Sequence, residues 1–290
     1  MEQEITIRPV KKFGTRELSD NSFNTMSGCS NDCRYCYAAH AALEKGYLKS
    51  RADWKRERAF LGLDIKNVKR GAGTVMYPTR HDIKPYDMRL VLYAIHELLS
   101  TDNDILICTK AHLSCIEDIC RAYSDHRDRI SFMITVTSLD ERLCSFWEPG
   151  APTPVERIAA LRHAFENSFC TNVICEPMLQ GPGGAIDVYN AVEDYVTNNI
   201  WFGKMVFPEK RVDMSQPGNA DAVAEILRLQ SDSNIKLLHS QLNGLPKVCW
   251  KGSISRLIEK MHKDDERFEL MQCGGVHEED VIAEPQGEFR

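Results

Sequence analysis

The chain has 290 residues, of which 43% are hydrophobic and 27% are charged. This length suits one large domain or one domain with an extension, and the composition is that of a globular protein rather than a disordered one. No apolar run approaches the length of a bilayer span, and the first residues lack the basic and apolar regions of a secretion signal. We therefore expect a cytoplasmic protein that does not contact a membrane.

The net charge of −6 is unevenly spread along the chain. Residues 259–290 hold ten acidic and four basic side chains, whereas residues 45–70 hold nine basic and three acidic ones. Such a basic stretch is often only a solvated surface. The alternative is a basic lip that meets an anionic substrate, such as a nucleotide or a nucleic acid, although a peptide or a small metabolite stays open. A dedicated nucleic-acid binder would more typically be basic overall.

The first predicted strand, residues 23–26, leads into a loop that carries Cys29, Cys33 and Cys36 within eight residues. A [4Fe–4S] cluster takes four ligands, which are normally all cysteine. Three local cysteines in the spacing C-x3-C-x2-C can bind three corners of such a cluster and leave one iron open to a substrate or a cofactor. The sequence therefore predicts a [4Fe–4S] cluster at this loop.

Zinc is the main alternative, because His40 could complete a Cys3His site with the same three cysteines. The chain would then be a zinc-stabilised, non-redox binding protein. Structural zinc ligands usually come from two separated segments, however, and residues 37–44 are predicted to form a helix that carries His40 away from the loop. A disulfide framework is disfavoured, because the eleven cysteines are odd in number and widely spaced.

Beyond the loop, short apolar runs alternate with amphipathic stretches. Strands are predicted at residues 74–78, 104–109, 130–137, 171–175, 201–207 and 235–239. Helices are predicted between them at residues 86–100, 114–123, 153–167, 186–198 and 221–230, and a last helix at residues 253–271. Thr153, Pro154 and Glu156 have the pattern of a capping box. At least six successive βα units suit a barrel or partial barrel, whose reactive groups lie at the carboxyl ends of the strands.

Several segments resemble the radical S-adenosylmethionine (SAM) superfamily, and within it the spore photoproduct lyase-like branch. These are residues 28–38, 109–110, 148–152, 157–161 and 200–205. The resemblance implies an α/β fold, a partial (β/α)6 barrel of the radical SAM type over residues 21–245. A lead-in, residues 1–20, would precede this barrel, and a C-terminal helix with an acidic tail, residues 246–290, would follow it.

The same resemblance implies a cofactor pair and a reaction class. SAM would chelate the open iron of a single [4Fe–4S] cluster, and Tyr35, just before the third cysteine, fits this pattern. An external one-electron donor such as flavodoxin or ferredoxin would supply the electron. Cleavage of SAM would give methionine and a 5′-deoxyadenosyl radical, which would abstract hydrogen from the substrate.

One departure from this branch concerns the substrate. Spore photoproduct lyases have a cysteine near the end of the strand after the cluster helix, where it serves as a hydrogen-atom donor. The corresponding stretch of this chain, residues 77–82, has no cysteine. This argues against repair of thymine dimers, because the product radical would lack its donor.

Polar residues at predicted strand ends are the candidates for binding SAM. Lys110 would pair with the methionyl carboxylate, as the resemblance implies. Hydroxyls of Thr109, Thr137 and Ser138 could bond ribose or carboxylate oxygens, and Glu176 could accept from the ribose or the SAM amine. Each has an ordinary alternative: a solvated lysine, a threonine or serine that serves packing, or a salt bridge at the rim.

The polar run Thr79, Arg80, His81 and Asp82 occupies the place where the superfamily often has Gly-Gly-Glu in contact with the SAM amine. Thr79 is a candidate SAM contact. His81 and Asp82 could act as acid and base on a substrate, and Arg80 could clamp a carboxylate or a phosphate. The alternative is a structural turn started by Asp82.

Overall fold

The computed structural model describes residues 14–272 apart from residues 61, 63, 64, 66, 67 and 72. The predicted acidic tail and the first part of the predicted lead-in, residues 1–13, lie outside the described residues. Within the described part of the chain, none of the helices combines the length and the apolarity that crossing a bilayer takes.

A seven-stranded parallel sheet forms the centre of the molecule. Its strands, in spatial order, are β1 (Asn21–Ser22), β4 (Thr74–Tyr77), β5 (Asp104–Thr109), β6 (Ile130–Thr135), β7 (Cys170–Cys175), β8 (Ile200–Phe202) and β9 (Val248–Trp250). A separate antiparallel pair joins β2 (Met26–Ser27) to β3 (Arg58–Ala59). The large sheet is open, because β1 and β9 at its two edges do not pair with each other. The predicted α/β fold is confirmed as an open, parallel partial barrel.

Helices connect the strands. They are α1 (Tyr37–Glu44), α2 (Met88–Leu99), α3 (Leu113–Ala122), α4 (Glu141–Trp147), α5 (Pro154–Glu166), α6 (Gly181–Val192), α7 (Pro208–Arg211), α8 (Asn219–Leu229), α9 (Asp232–Leu242) and α10 (Gly252–Gln272). Both faces of the central strands are covered. Alternate residues such as Ile105 and Ile107 join the main core with the helices, while Leu106 and Met133 join a smaller cluster on the other face. This two-sided burial explains the nearly continuous apolar runs in the sequence.

The start of the sheet differs from the prediction of a strand at residues 23–26. The first strand is β1, and Met26 belongs to the antiparallel pair. Thr25 cannot continue β1, because its backbone N–H donates to His81 Nε2 at 3.1 Å instead of to a neighbouring strand. The side chain of Asn24 likewise bonds Thr79.

The predicted strand at residues 235–239 is wrong, because these residues lie in α9. Ile235, Leu238 and Leu242 are buried, whereas Leu237 is 53% exposed. Buried positions three and four residues apart follow the period of a helix, and a strand would alternate instead. The last strand of the described residues is β9, which begins three residues beyond the predicted end of the barrel and pairs with β8.

Two other elements also have bounds that differ from the prediction. β8 ends at Phe202 rather than at residue 207, and α6 spans Gly181–Val192 rather than residues 186–198. Pro182 lies in the first turn of α6, a position that suits proline because its missing N–H would have no helical partner there. The strand–helix order of this part of the chain is nevertheless the predicted one.

The predicted capping box of α5 forms only in part. Thr153 Oγ1 accepts from the backbone N–H of Glu156 at 3.2 Å, as expected of an N-cap. The Glu156 carboxylate does not return to Thr153. It accepts from Leu113 N at 3.2 Å and lies 3.2 Å from His112 Nδ1, so it ties α5 to the start of α3.

Candidate functional site

The three cysteines lie on the loop between β2 and α1, and Cys36 is the residue that precedes the first turn of α1. The loop begins at Gly28, whose φ is +91°. A Cβ at this position would lie 2.6 Å from Arg56 O and 2.8 Å from Trp54 O, so only glycine fits. Cys29 N donates to the same Trp54 carbonyl at 2.8 Å. The segment just before β3, which contains Trp54 and Arg56, therefore fixes the entry to the cysteine loop.

The three thiols differ in exposure, since Cys29 is buried and Cys33 and Cys36 are half-buried, and lysine side chains lie nearby. Burial raises the pKa of the Cys29 thiol to about 12 and that of Cys33 well above its ordinary value. Lys84 opposes the pKa shift of Cys29, and Lys110 opposes that of Cys33. Cys36 adds to both shifts, so the three sulfurs lie within electrostatic range of one another. Thiolate ligands with cations nearby are a donor set that fits an iron–sulfur cluster.

A single-ion site is a poorer fit to this geometry. Among the residues that the structure describes, no three histidine, cysteine, aspartate or glutamate side chains converge as ligands of one ion. A tetrahedral zinc ion holds each cysteine sulfur at about 2.3 Å from one centre. A cubane cluster spreads its cysteines over separate irons. His40 lies on α1, where its Nε2 is 3.3 Å from Glu44 Oε1.

Asn31 anchors the cysteine loop to the carboxyl ends of the strands. Its side chain is buried, with Nδ2 donating to Asp82 Oδ2 at 2.5 Å and Oδ1 accepting from Lys84 Nζ. Its carbonyl accepts from Gly150 N at 3.0 Å. A Cβ on Gly150 would lie only 2.2 Å from Ser30 O, so the turn after α4 is in direct contact with the loop backbone.

Glu148, the residue that follows α4, is the centre of a buried polar network. Tyr35 donates its hydroxyl to Oε1, and Thr137 Oγ1 donates to the same oxygen at 3.0 Å. Arg157 Nη2 donates to Oε2 at 2.5 Å, and Lys110 Nζ lies 3.6 Å from Oε1. Burial would raise the pKa of this carboxyl, but Lys110 and Arg157 hold it below its usual range. Glu148 is therefore an anion that four side chains from separate parts of the chain share.

Lys110, which directly follows β5, lies between Glu148 and Cys33. Its side chain is only 13% exposed. Burial would lower the pKa of Lys110, yet Glu148 and Cys33 raise it above its ordinary value, so the ammonium stays charged. Its Nζ lies 5.7 Å from the centre of the Tyr35 ring. A fixed cation thus lies beside the second cysteine.

His81 and Asp82 are both engaged by neighbouring groups. Asp82 Oδ1 accepts from Ile83 N at 2.8 Å and from Thr109 Oγ1 at 2.5 Å. His81 Nε2 accepts from Thr25 N at 3.1 Å, and its Nδ1 lies 3.1 Å from the Asp82 carbonyl. Burial lowers the pKa of the His81 imidazole. These contacts hold the segment between β4 and α2 in place.

The other predicted residues are distributed around the same edge of the sheet. Thr79 Oγ1 accepts from Asn24 Nδ2 at 2.8 Å, and Ser138 Oγ donates to Gln180 Oε1 at 2.6 Å. The side chain of Arg80 is exposed. The structure brings Tyr35, Lys110 and Thr137 together around Glu148, whereas Thr79 and Ser138 join other contacts.

Glu176 belongs to a second group, on the β7–β8 side of the sheet. Its side chain is 28% exposed, and Oε2 lies 4.0 Å from Lys251 Nζ. Burial raises the pKa of the Glu176 carboxyl, and Lys251 opposes this shift. Gly203 provides the space, because a Cβ there would lie 2.8 Å from Glu176 Cδ. Lys251 also pairs with Glu17 at 3.4 Å.

Four further residues of this region are buried: Asn31, Lys84, Glu148 and Arg157. Three of them, Asn31, Glu148 and Arg157, stand in the segments that carry the resemblance, but the sequence assigned no site role to any of the four. One signal was available for Glu148. A carboxylate at the C-terminal end of a helix is disfavoured by the helix dipole, so its presence there indicates nearby cations. The positions of the cations themselves depend on the tertiary fold.

Comparison with known proteins gives one relative in sequence. No family model matches the chain. An uncharacterized protein, ORF301, of Acidianus two-tailed virus is 26% identical over 177 residues, which cover 56% of this chain and 58% of that protein. The match thus spans less than two thirds of the relative.

Solved structures share the fold more extensively. Spore photoproduct lyase complexed with dinucleoside spore photoproduct matches with a TM-score of 0.52 at 14% identity, over 84% of this chain and 79% of the lyase. A variant of that lyase with bound AdoMet and dinucleoside spore photoproduct matches over the same shares with a TM-score of 0.53 at 15% identity. SuiB of Streptococcus suis bound to precursor peptide SuiA gives 0.52 at 11% identity, over 83% of this chain and 50% of SuiB. Both are radical SAM enzymes, and this chain has their partial-barrel fold.

Proposed function

We propose that this chain is a radical SAM enzyme. Cys29, Cys33 and Cys36 would hold three irons of a [4Fe–4S] cluster, with SAM at the fourth. When bound, this pair supplies reductive cleavage of SAM and a 5′-deoxyadenosyl radical that abstracts hydrogen from the substrate. The observation that carries the proposal is the three-cysteine loop at the carboxyl ends of β4, β5 and β6, on a fold shared with radical SAM enzymes.

Lys110 is the side chain best suited to the methionyl carboxylate of SAM. It is charged, partly accessible and close to Cys33. In this structure it pairs with Glu148, but Glu148 also has Arg157 at 2.5 Å. Lys110 can therefore donate to a second carboxylate without leaving Glu148 unpaired, which would be costly for a buried charge.

The hydroxyls of Thr109, Thr137 and Ser138 already donate within the protein. Each retains acceptor capacity, so each can still receive a hydrogen bond from the SAM amine or from a ribose hydroxyl. Glu176 is partly exposed at the end of β7, on the β7–β8 side of the sheet. We assign it as the acceptor for the ribose or the amine of SAM. In this proposal His81 and Asp82 position the strand end rather than transfer protons.

Two arginines favour an anionic substrate. Arg80 follows β4 and is exposed, and Arg211, on α7, is partly buried within electrostatic range of Cys36 and Glu176. Either guanidinium can form a bidentate pair of hydrogen bonds with a carboxylate or a phosphate. We place the enzyme in the cytoplasm, where an external one-electron donor such as flavodoxin or ferredoxin is available.

An anaerobic experiment tests the reaction class. The protein is reconstituted with iron and sulfide and reduced with dithionite, and EPR spectra are recorded before and after SAM is added. The same sample is assayed for 5′-deoxyadenosine by mass spectrometry. We expect a [4Fe–4S]⁺ signal that changes with SAM, together with deoxyadenosine.

Two cysteine variants sharpen this test. Cys36→Ala should lose the cluster signal and SAM cleavage. Cys249→Ser, in β9, changes a thiol that contacts Asn199 and should retain both. Tightly bound zinc with neither cluster signal nor deoxyadenosine would overturn the proposal and favour the zinc-binding alternative. Full activity of Cys36→Ala would overturn it as well.

A further inference from the structure

Glu148 is joined to the cysteine loop through both side chain and backbone. Tyr35, which lies between the second and third cysteines, donates its hydroxyl to Glu148. The preceding residue, Arg34, donates its backbone N–H to Trp147 O at 2.8 Å. The end of α4 is therefore hydrogen-bonded to the backbone of the cysteine loop, so a change at Glu148 acts on the loop directly.

The charges around Glu148 are buried and do not cancel. Arg157 is 1% exposed, and besides Glu148 its guanidinium donates to Pro152 O at 2.9 Å and Thr135 O at 3.3 Å. Lys110, the second cation, lies 3.6 Å from the carboxylate. Within this group of three side chains, one carboxylate between two cations leaves one net positive charge. Because water has little access, this charge acts on its surroundings with little screening.

These charges lie close to the part of the loop that carries the second and third cysteines. Lys110 Nζ lies 5.7 Å from the centre of the ring of Tyr35, the residue between the second and third cysteines that donates to Glu148. Reduction of a cluster adds one electron, so a nearby cation favours reduction and a nearby anion disfavours it. Net charge and hydrogen bonds to the sulfurs are among the factors that set the potential of iron–sulfur clusters.

We propose that Glu148 is a positioning residue that holds the cysteine loop through Tyr35, holds Lys110 beside that loop, and keeps the reduction potential of the cluster low. It does so by offsetting one of the two buried cations. This inference rests on the proposed function, since it requires that the loop hold a redox-active cluster. It assigns to Glu148 a role distinct from binding SAM or substrate.

The test is an EPR-monitored redox titration of the cluster-loaded protein without SAM. Glu148→Gln removes the negative charge but keeps the shape and an acceptor oxygen for Tyr35. We expect its midpoint potential to shift to a less negative value. Lys110→Gln removes a positive charge from the same group and should shift the potential in the opposite direction. Glu166→Gln, which breaks an exposed pair with Arg162 on the helix that carries Arg157, should shift neither way.

The outcomes separate the inference from the proposed function. If the wild-type protein has a SAM-responsive cluster and Glu148→Gln has an unchanged potential at full iron content, the inference is overturned and the proposed function stands. A purely structural role would give that result together with a lower melting temperature. If Glu148→Gln does not fold, Lys110→Gln decides, and an unchanged or less negative potential overturns the inference. A wild-type protein that takes up no cluster overturns both.

Discussion

Replacing Gly150 by alanine should separate the cysteine loop from the turn after α4. A Cβ at this position would lie 2.2 Å from Ser30 O and 2.9 Å from Asn31 Cα. Both of these are backbone atoms, so no side-chain rotation can relieve the overlap. The φ of Gly150 lies outside the left-handed region, so the effect is steric rather than conformational.

The expected loss of stability follows from the contacts that must move. Overpacking of this kind costs about 1–3 kcal/mol. The shift also strains two hydrogen bonds, Gly150 N to Asn31 O and Lys84 Nζ to Gly150 O, each 3.0 Å long, and such bonds contribute about 1 kcal/mol each. We expect a loss of about 3 kcal/mol, which lowers the melting temperature of a chain of this size by about 5 °C. The fraction of protein that retains iron should fall as well.

The assay is anaerobic thermal and urea unfolding of the reconstituted protein, with iron content measured in parallel. Gly183→Ala is the matched control, because a Cβ at this α6 position meets no atom within 4 Å. Alanine is the better helix former by about 1 kcal/mol, so this control should be neutral or stabilising. Equal stability and equal iron content in the two variants would refute the packing argument.

Three further predictions follow from single side chains. Lys110→Ala should weaken SAM binding about 10- to 100-fold, the value of a hydrogen bond between charged groups, and an unchanged dissociation constant in calorimetry would reject its role. Leu238→Ala, at a fully buried position of α9, should cost about 2–5 kcal/mol in urea unfolding. Leu237→Ala, one residue earlier and exposed, should cost less than about 0.5 kcal/mol, and the reverse order would favour a strand. Because the folded state lowers the pKa of His81 below its ordinary 6.5, the free energy of unfolding should fall as pH drops below that value. His81→Gln should lose this part of the pH dependence, and parallel curves for the two proteins between about pH 7.5 and 5.5 would contradict the assignment.

The central strands were predictable because the sheet is covered on both faces. β5 was predicted to the residue, and β4, β6 and β7 to within one or two residues at each end. Their residues form apolar runs long enough to be distinguished from loops. β9 has only three residues, Val248 to Trp250, and such a short run carries no usable periodicity. It is a strand because β8 offers it a parallel partner, which is tertiary information.

The run at residues 235–239 shows a second reason why prediction of an element from sequence fails. Five residues rich in Ile and Leu fit a buried strand as well as a helix, and only a longer window separates the two. Leu242, one helical turn beyond Leu238, supplies the missing repeat and is buried as well. The helix also begins with Asp232, a carboxylate in the first turn, where the helix dipole favours it.

The candidate site also has one part that local sequence predicts and one part that depends on the tertiary fold. The three cysteines lie within eight residues of sequence, so their spacing alone predicts a shared centre. The residues around Glu148 come from the cysteine loop and from three later segments, so nothing local connects them. The sequence placed Lys110, Tyr35 and Thr137 near SAM individually, but it did not predict that they contact one carboxylate.

The proposed chemistry helps to explain why so many polar side chains near the loop bond to each other. Hydrogen-atom abstraction moves a proton and an electron together, so it requires no acid or base side chain at the reacting carbon. Asp82, His81 and Glu148 are accordingly available to fix the loop and the strand ends. Side chains at the carboxyl ends of the strands would then discriminate between substrates. We propose Arg80, which is exposed, and Arg211, which is half-buried, for this role. Substitutions there should then change the accepted substrate while SAM cleavage continues.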